Sequence, residues 1–417
     1  MRMKRERPTV AESAAPMTPS GTADVLLEDA VRMSAIGAAV RRSFASWGYG
    51  EAIPPIFERF ETLLAGGIHP DWMIRFADPS GSALALRSDF TTQIARIVAT
   101  RLRDQPKPLR LFYVGPVVRR PRPSVGRRAE FVQAGIELLG SREADADAEV
   151  VAVAIDALLR LGIDDVLIHL GQSAFFGGLV QAASLSEPDA AGLRDLLDRR
   201  DREALARRVA DLGLDEAVGE RILECLELCG GPEILDRAEA ATSNRESASA
   251  LRNLADVYEA VCDHGHQDRV AIDLGEVRGL GYYTGLMIEG FSRSLSAPIL
   301  EGGRYDDLVE RFGDPCPAVG CALDVPRIAS ILAARDARTA PVDVLVHYQA
   351  AARRQAIGLA SSLREEGARV ELDVADRTLE ETAAYARTRG IAELRVVETD
   401  RTRILDVTSG VIRGGEA

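Results

Sequence analysis

Four stretches of the sequence gather side chains suited to holding a small charged ligand: LALRSDFTTQIAR, VRRPRPSVGRRAEFVQAGIE, EVRGLGYYTG and EGGRYDDL. Each sets Arg, acid, Gln or Tyr beside glycines that let backbone come close to a ligand. The chemistry they suit is recognition of a zwitterion. An α-ammonium needs acceptors, which Asp89, Thr91 and Gln133 offer. A carboxylate needs a planar donor such as Arg278, and a polar ligand side chain needs groups such as Glu137, Tyr283 with its neighbour Tyr282, and Tyr305. Any one cluster also fits a structural ion pair with turn glycines; four of one chemical kind favour a binding site.

Other chemistries find less support. The chain has two lysines, Lys4 and Lys107, and neither sits in a GxxxxGK[ST] loop, so no P-loop nucleotide site or Schiff-base lysine is expected. Cys225 and Cys229 stand four apart, and Cys262, His264 and His266 follow later, a set that invites a zinc reading. Cysteines one turn apart on an apolar helical stretch are usually core, and structural zinc sites favour tighter pairs, so no metal and no cofactor is expected. His69, His169 and His347 stand alone, and no Ser/His/Asp or Cys/His arrangement can be argued.

These groups need elements to position them. Met33, Ile36, Val40, Phe44 and Trp47 recur at three- and four-residue steps and predict a helix ending at Gly48. MIRFA and ALALRS flank Asp78-Pro79-Ser80-Gly81, a type I turn sequence, and predict a hairpin. LRLFYVGPVVR and EFVQAGIELLG read as strands joined by RPRPSVGRRA, and short polar links between consecutive strands argue for an antiparallel sheet. Residues 173–263 have helical spacing and few β-branched residues, a helical insertion. Strand character returns in VAIDLGEVRG and YYTGLMIEGF, and AVGCALDVPRIASILAA runs from strand into helix. Past residue 340, strands alternate with helices as in a small α/β unit. The division expected is a flexible tail over 1–22, a core over 23–335 and a C-terminal domain over 340–417.

Composition sets the outer bounds. A chain of 417 residues, 46% hydrophobic and 28% charged, is globular and long enough for two or three domains. Its net charge is −13, and residues 341–417 hold eleven Arg against thirteen Asp or Glu, a poor match for a phosphate backbone, so tRNA is not expected as a partner. Five cysteines and no long apolar run point to reduced thiols in the cytoplasm and no membrane span.

At the four clusters the sequence resembles the histidyl-tRNA synthetase family of class II aminoacyl-tRNA synthetases, from about Asp24 to the C-terminus. The motifs are Pro55 of the dimer motif, LRSDFT, GRRAEFVQAGIELLG, RGLGYYTG, GGRYDDLVERFG and PAVGCALDVPR. The resemblance implies an α+β fold, with an antiparallel sheet flanked by helices, a helical insertion and a C-terminal α/β domain like a degenerate anticodon-binding domain. It also implies histidine as the zwitterion and a homodimer. The nucleotide positions depart from the pattern. Arg119 matches the arginine expected on the α-phosphate, and Arg127 and Arg327 complete a vestigial nucleotide site. The family's adenine-reading glutamate falls on Pro121, a second arginine on Ala129, and a glycine and a glutamate of the last motif on Asp324 and Pro326. Asp89 stands for a longer Glu, and Gly281 for an Asp.

With LRSDFTTQIARIVATRL and LECLELCGGPEIL, the chain is similar to the family of ATP phosphoribosyltransferase regulatory subunits. That resemblance implies a chain with no catalysis of its own. It would join a short-form catalytic subunit, which condenses ATP with phosphoribosyl pyrophosphate at the first step of histidine biosynthesis, and make it active and sensitive to histidine. An active histidyl-tRNA synthetase and an amino-acid ligase with another acceptor stay open as alternatives.

Overall fold

The computed structural model describes residues 18–120, 128–240, 242, 244–277, 283–335, 342–407 and 412–413. They divide into two compact units, one built mainly from Ala35–Ile331 and one from Val25–Ser34 with Leu332 onward. The edge differs from the expected 23–335, because the first turns of the helix Leu27–Ser46 group with the C-terminal unit. The expected tail is also shorter at its described end. Gly21, at φ +82°, turns its carbonyl to accept from the Ala129 backbone N–H at 2.7 Å, so residues beside it are tied down.

The larger unit is organised by a nine-stranded sheet. Its spatial order is Gly50–Glu51, Leu109–Val118, Glu130–Leu139, Ala318–Asp324, Leu295–Arg304, Leu286–Ser292, Val166–Gln172, Val270–Asp273 and Cys229–Gly230. The six strands from Leu109–Val118 to Val166–Gln172 pair antiparallel, as expected from the short links. Because side chains alternate between faces, the register decides which groups meet. Leu111 lies opposite Glu137, Tyr113 opposite Gly135 and Gly115 opposite Gln133. On the other side Gly320 pairs with Glu137 and Asp324 with Gln133.

The helix Ala144–Arg160 packs on the strands around Glu130–Leu139 and buries Val150, Val151, Val153, Ile155 and Leu158. Such a run of fully buried β-branched and Leu side chains contributes on the order of 1.5–3 kcal/mol each. The helix Thr91–Thr100 joins a second cluster through Phe90, Ile94 and Val98, which meet Tyr113, Leu139, Tyr305 and Leu308. Phe90 stacks on Tyr113 with ring centroids 4.2 Å apart.

The hairpin forms at Asp78–Gly81 as predicted: Gly81 N–H donates to the Asp78 carbonyl at 2.9 Å, and Asp78 Oδ1 accepts from Ser80 and Ser82 N–H. Its strands Arg75–Ala77 and Ala83–Leu86 join Phe57–Arg59 in a separate three-stranded sheet. Between Val166–Gln172 and Val270–Asp273 the insertion is helical, apart from Cys229–Gly230.

The C-terminal unit has a sheet ordered Val370–Leu372, Val344–Tyr348, Glu393–Val397, Thr402–Asp406 and Ile412–Arg413, with the first three parallel. Alternation along Val344–Tyr348 serves two cores. Val344 and Val346 face Ala356, Ala360 and Leu363 of one helix, and Leu345 meets Ala386, just before Ile391. The helix Leu379–Arg389 starts with a capping box between Thr378 and Glu381 and stops at Gly390, φ +69°.

Candidate functional site

The sheet and the helix Thr91–Thr100 enclose a cavity of about 700 Å³ in the larger unit. Asp89, Thr91, Gln133, Glu137, Tyr283 and Tyr305 all line it, so residues spread over more than 200 positions of sequence share one wall system. Arg119 and Arg327 line it too. Arg278, Tyr282 and Arg127, like Pro121 and Gly281, lie outside the described residues.

Glu137 is the centre of a cage of hydroxyls. Its Oε1 accepts from the Thr91 hydroxyl at 3.0 Å and from the Tyr113 hydroxyl at 3.1 Å, and its Oε2 accepts from the Tyr305 hydroxyl. Burial pushes its carboxyl up to about 7, against the pull of the three hydroxyls, and the nearby Asp89 adds to the rise. Space around it is closed. A Cβ on Gly320 would overlap the Glu137 carboxylate, and one on Gly135 would overlap the Tyr113 hydroxyl, so only glycine fits either place.

Asp89 and Gln133 behave differently. Asp89 Oδ1 accepts from the Thr92 backbone N–H at 3.4 Å, but Asp89 Oδ2 and Gln133 Oε1 are buried acceptors with no hydrogen-bond partner. Leaving such an acceptor unmet costs about 1–3 kcal/mol, more for a charged group. Burial raises the Asp89 carboxyl above the ordinary range, while the Arg119 charge and the Thr92 N–H oppose it. A cationic donor entering here would meet two waiting acceptors.

Beside Asp89, Arg119 donates from Nε to the Ser88 carbonyl at 2.8 Å and lies over the Phe131 ring, 5.2 Å from its centroid. Asp324 and Arg327 satisfy each other: Asp324 Oδ1 accepts from the Arg327 N–H at 2.9 Å, Oδ2 sits 3.2 Å from Arg327 Nε, and another guanidinium nitrogen donates to the Pro298 carbonyl. The arginine expected to face a nucleotide is thereby engaged by an acid of its own strand end. Among the described lining residues, Asp89, Glu137, Asp198, Glu276, Glu289, Glu301 and Asp324 outnumber Arg119, Arg120, Arg128 and Arg327.

Two neighbours went unforeseen. Tyr113 completes the hydroxyl cage; the alternation of LRLFYVG puts it on the cavity face once its strand is paired with Glu130–Leu139. Arg87 fixes the entrance strand by donating to the carbonyls of Pro116 at 2.7 Å and Pro54 at 2.9 Å, with its guanidinium over Phe90. In EGGRYDDL the structural reading holds for Arg304, which forms a buried pair with Asp147 at 2.9 Å and a second with Asp306 at 3.0 Å.

The cysteines and histidines need a correction. Cys225 is a buried core thiol, but Cys229 is exposed and lies on a short strand rather than a helix. His169 does not stand alone, since its Nδ1 is 3.4 Å from Asp273 Oδ2. Nor does His347, whose Nδ1 is 3.0 Å from Asp373 Oδ2 in the C-terminal unit.

The antiparallel core with its embedded cavity is the architecture of class II synthetase-like proteins. The histidyl-tRNA synthetase family model matches residues 21–328. A histidyl-tRNA synthetase structure from Nostoc superposes with a TM-score of 0.84 at 23% identity, covering 97% of each chain, a likeness of fold. A structure titled an ATP phosphoribosyltransferase regulatory subunit/histidyl-tRNA synthetase from Bacillus halodurans superposes with a TM-score of 0.83 at 29% identity, over 92% of this chain and 99% of that one. Among curated proteins, the ATP phosphoribosyltransferase regulatory subunit of Geobacter sulfurreducens is 38% identical over 92% of this chain and 89% of its own length. That of Acetivibrio thermocellus is 34% identical over 95% and 96%. The chain belongs to the family of ATP phosphoribosyltransferase regulatory subunits within the histidyl-tRNA synthetase-like proteins.

Proposed function

We propose that this chain is the non-catalytic partner of a short-form ATP phosphoribosyltransferase catalytic subunit in histidine biosynthesis, and that its cavity takes histidine as the feedback signal. The observation that carries the ligand assignment is the pair of unpartnered buried acceptors, Asp89 Oδ2 and Gln133 Oε1, in the wall of the cavity that also holds the Glu137 cage. An α-ammonium satisfies the two acceptors, and the Glu137 cage offers an acceptor to an imidazole N–H. Arg278 is the group proposed for the ligand carboxylate. Arg327, engaged by Asp324 across the sheet from Gln133, argues against ATP use, and so against a working synthetase. The chain is proposed to act in the cytoplasm as a homodimer within a hetero-oligomer.

Calorimetry on the full chain with histidine, histidinol and ATP tests the reading, beside a measurement of catalytic-subunit turnover with and without this chain. Histidine should bind and ATP should not. Asp89→Asn should weaken histidine at least about tenfold, the loss of one charge-assisted contact. Arg278→Ala should cost about 2 to 4 kcal/mol of affinity and narrow the gap between histidine and histidinol. Tight ATP binding with histidine-dependent ATP–pyrophosphate exchange would restore the synthetase reading. A partner that is stimulated while histidine fails to bind this chain would move the sensor to the catalytic subunit or the interface.

A further inference from the structure

Beginning on the strand next to the cavity-lining Leu286–Ser292, the same sheet carries a second group of ligating atoms, none of which lines the cavity. His169 on Val166–Gln172, Asp273 at the end of Val270–Asp273 and Cys229 on the edge strand Cys229–Gly230 each offer one atom, and the three atoms lie within 4.8 Å of one another. Register puts them there. Cys229 is the direct cross-strand partner of Asp273, and His169 pairs with Ala271, two residues before Asp273 and on the same face. Their sequence positions, 169, 229 and 273, conform to no metal-binding spacing, which is why only the fold assembles them.

The surroundings are those of a built site. Asp273 is buried to 1% side-chain exposure, its Oδ1 is held by the Gly275 N–H at 3.0 Å, and its Oδ2 faces His169 Nδ1 at 3.4 Å. The His169 ring is braced by Phe291, with centroids 5.1 Å apart. Cys229 is exposed, so an ion has a path from solvent. Asp273 Oδ2 already carries a cation: the guanidinium of Arg200 pairs with it. That side chain is 41% exposed on a long stem and can turn out to water, giving up its place against Gly275 and a 3.5 Å contact with the Leu226 carbonyl.

We propose that His169, Cys229 and Asp273 form a zinc site with an open fourth position, filled by water, that fastens the middle of the helical insertion to the main sheet. The donor set selects the metal. A nitrogen, a sulfur and a carboxylate oxygen suit Zn²⁺, whereas Mg²⁺ and Ca²⁺ take oxygen alone. Tetrahedral bonds of about 2.0 to 2.3 Å place ligand atoms roughly 3.3 to 3.8 Å apart, so His169 and Asp273 at 3.4 Å already fit and Cys229 needs to close by about an ångström. On binding, the Cys229 thiol proton goes to solvent, the sulfur bonds zinc as thiolate, and Arg200 leaves Asp273; nothing is oxidised or reduced. The ion would pin a two-residue edge strand in the middle of the insertion to the strand Val270–Asp273, where the chain returns to the core.

The test uses the full chain, freed of metal with a chelator and gel-filtered, then titrated with zinc against a chromophoric chelator. About one zinc per chain is expected, with affinity in the submicromolar range or tighter, as three protein ligands including a thiolate support. Cys229→Ser and His169→Gln, each checked for fold by circular dichroism, should each weaken binding at least about tenfold. Cys262→Ser should leave it unchanged. Cobalt should give a thiolate-to-metal charge-transfer band that Cys229→Ser abolishes and Cys262→Ser keeps. Arg200→Gln, which removes the competing cation, should tighten zinc several-fold. Substoichiometric zinc, a cobalt–thiolate band that survives Cys229→Ser, or binding weakened by Arg200→Gln would each overturn the site.

Discussion

Glu137 carries its charge in a buried cage, and that has a consequence for the whole chain's stability. Folded, its carboxyl titrates at about 7; unfolded, it returns to the ordinary 4.5. Between those values the folded chain holds a proton that the unfolded chain has released, so stability is full below about pH 4.5 and falls as pH rises toward 7. A gap of that size is worth up to about 3 kcal/mol. Glu137→Gln carries no titrating proton. The difference in unfolding free energy between the parent and this variant, measured by urea denaturation from pH 5 to 8, should therefore shift against the parent as pH rises, by up to about 3 kcal/mol. A flat difference would mean the carboxyl is ionised throughout. At this scale the sequence was informative about charge and poor about company. Asp89 and Gln133 announce themselves as acceptors by type, whereas Tyr113 becomes a cage residue only through strand register, and His169 finds Asp273 across 104 positions of chain.

Among the elements, the three-stranded sheet of Phe57–Arg59, Ala83–Leu86 and Arg75–Ala77 is the least covered. Ile56, Phe57, Ile74 and Phe76 are all exposed there, and the Phe57 and Phe76 rings meet edge-on at 6.1 Å. With Ile53 nearby at 85% exposure, this is an apolar face of the kind subunits cover. It lies beside Pro55 of the dimer motif, so for the proposed homodimer light scattering at micromolar concentration should report a dimer, and Phe57→Asp should shift it toward monomer. A parent chain that is monomeric alone would remove the isologous pairing. Elements with a clear period or turn were legible: the first long helix, the Asp78–Gly81 hairpin and the paired strands around Tyr113. Leu295–Arg304 was not, because Pro298, Gly302 and Gly303 interrupt the alternation that marks a strand. Cys229–Gly230 was hidden for a different reason, since two residues carry no period at all.

Across the whole molecule, charge sets what the chain can approach. A charge of −13 overall, with acids ahead of bases in residues 341–417, argues for weak nucleic-acid binding, whose strength comes from counterion release by basic side chains. Filter binding or fluorescence anisotropy with tRNA should show weak, nonspecific association at physiological salt; a submicromolar complex with a steep salt slope would contradict this. No helix among the described residues is long and apolar enough to cross a membrane. One strand, Ala318–Asp324, ties the two ends of the cavity together: Gly320 lies under the Glu137 carboxylate, and Asp324, four residues on and on the same face, engages Arg327. A single insertion or deletion between them would turn one end away from the cavity while the other stayed. The lineage of this chain could therefore retune the nucleotide end only by exchanging one side chain for another, with the spacing of the strand inherited intact.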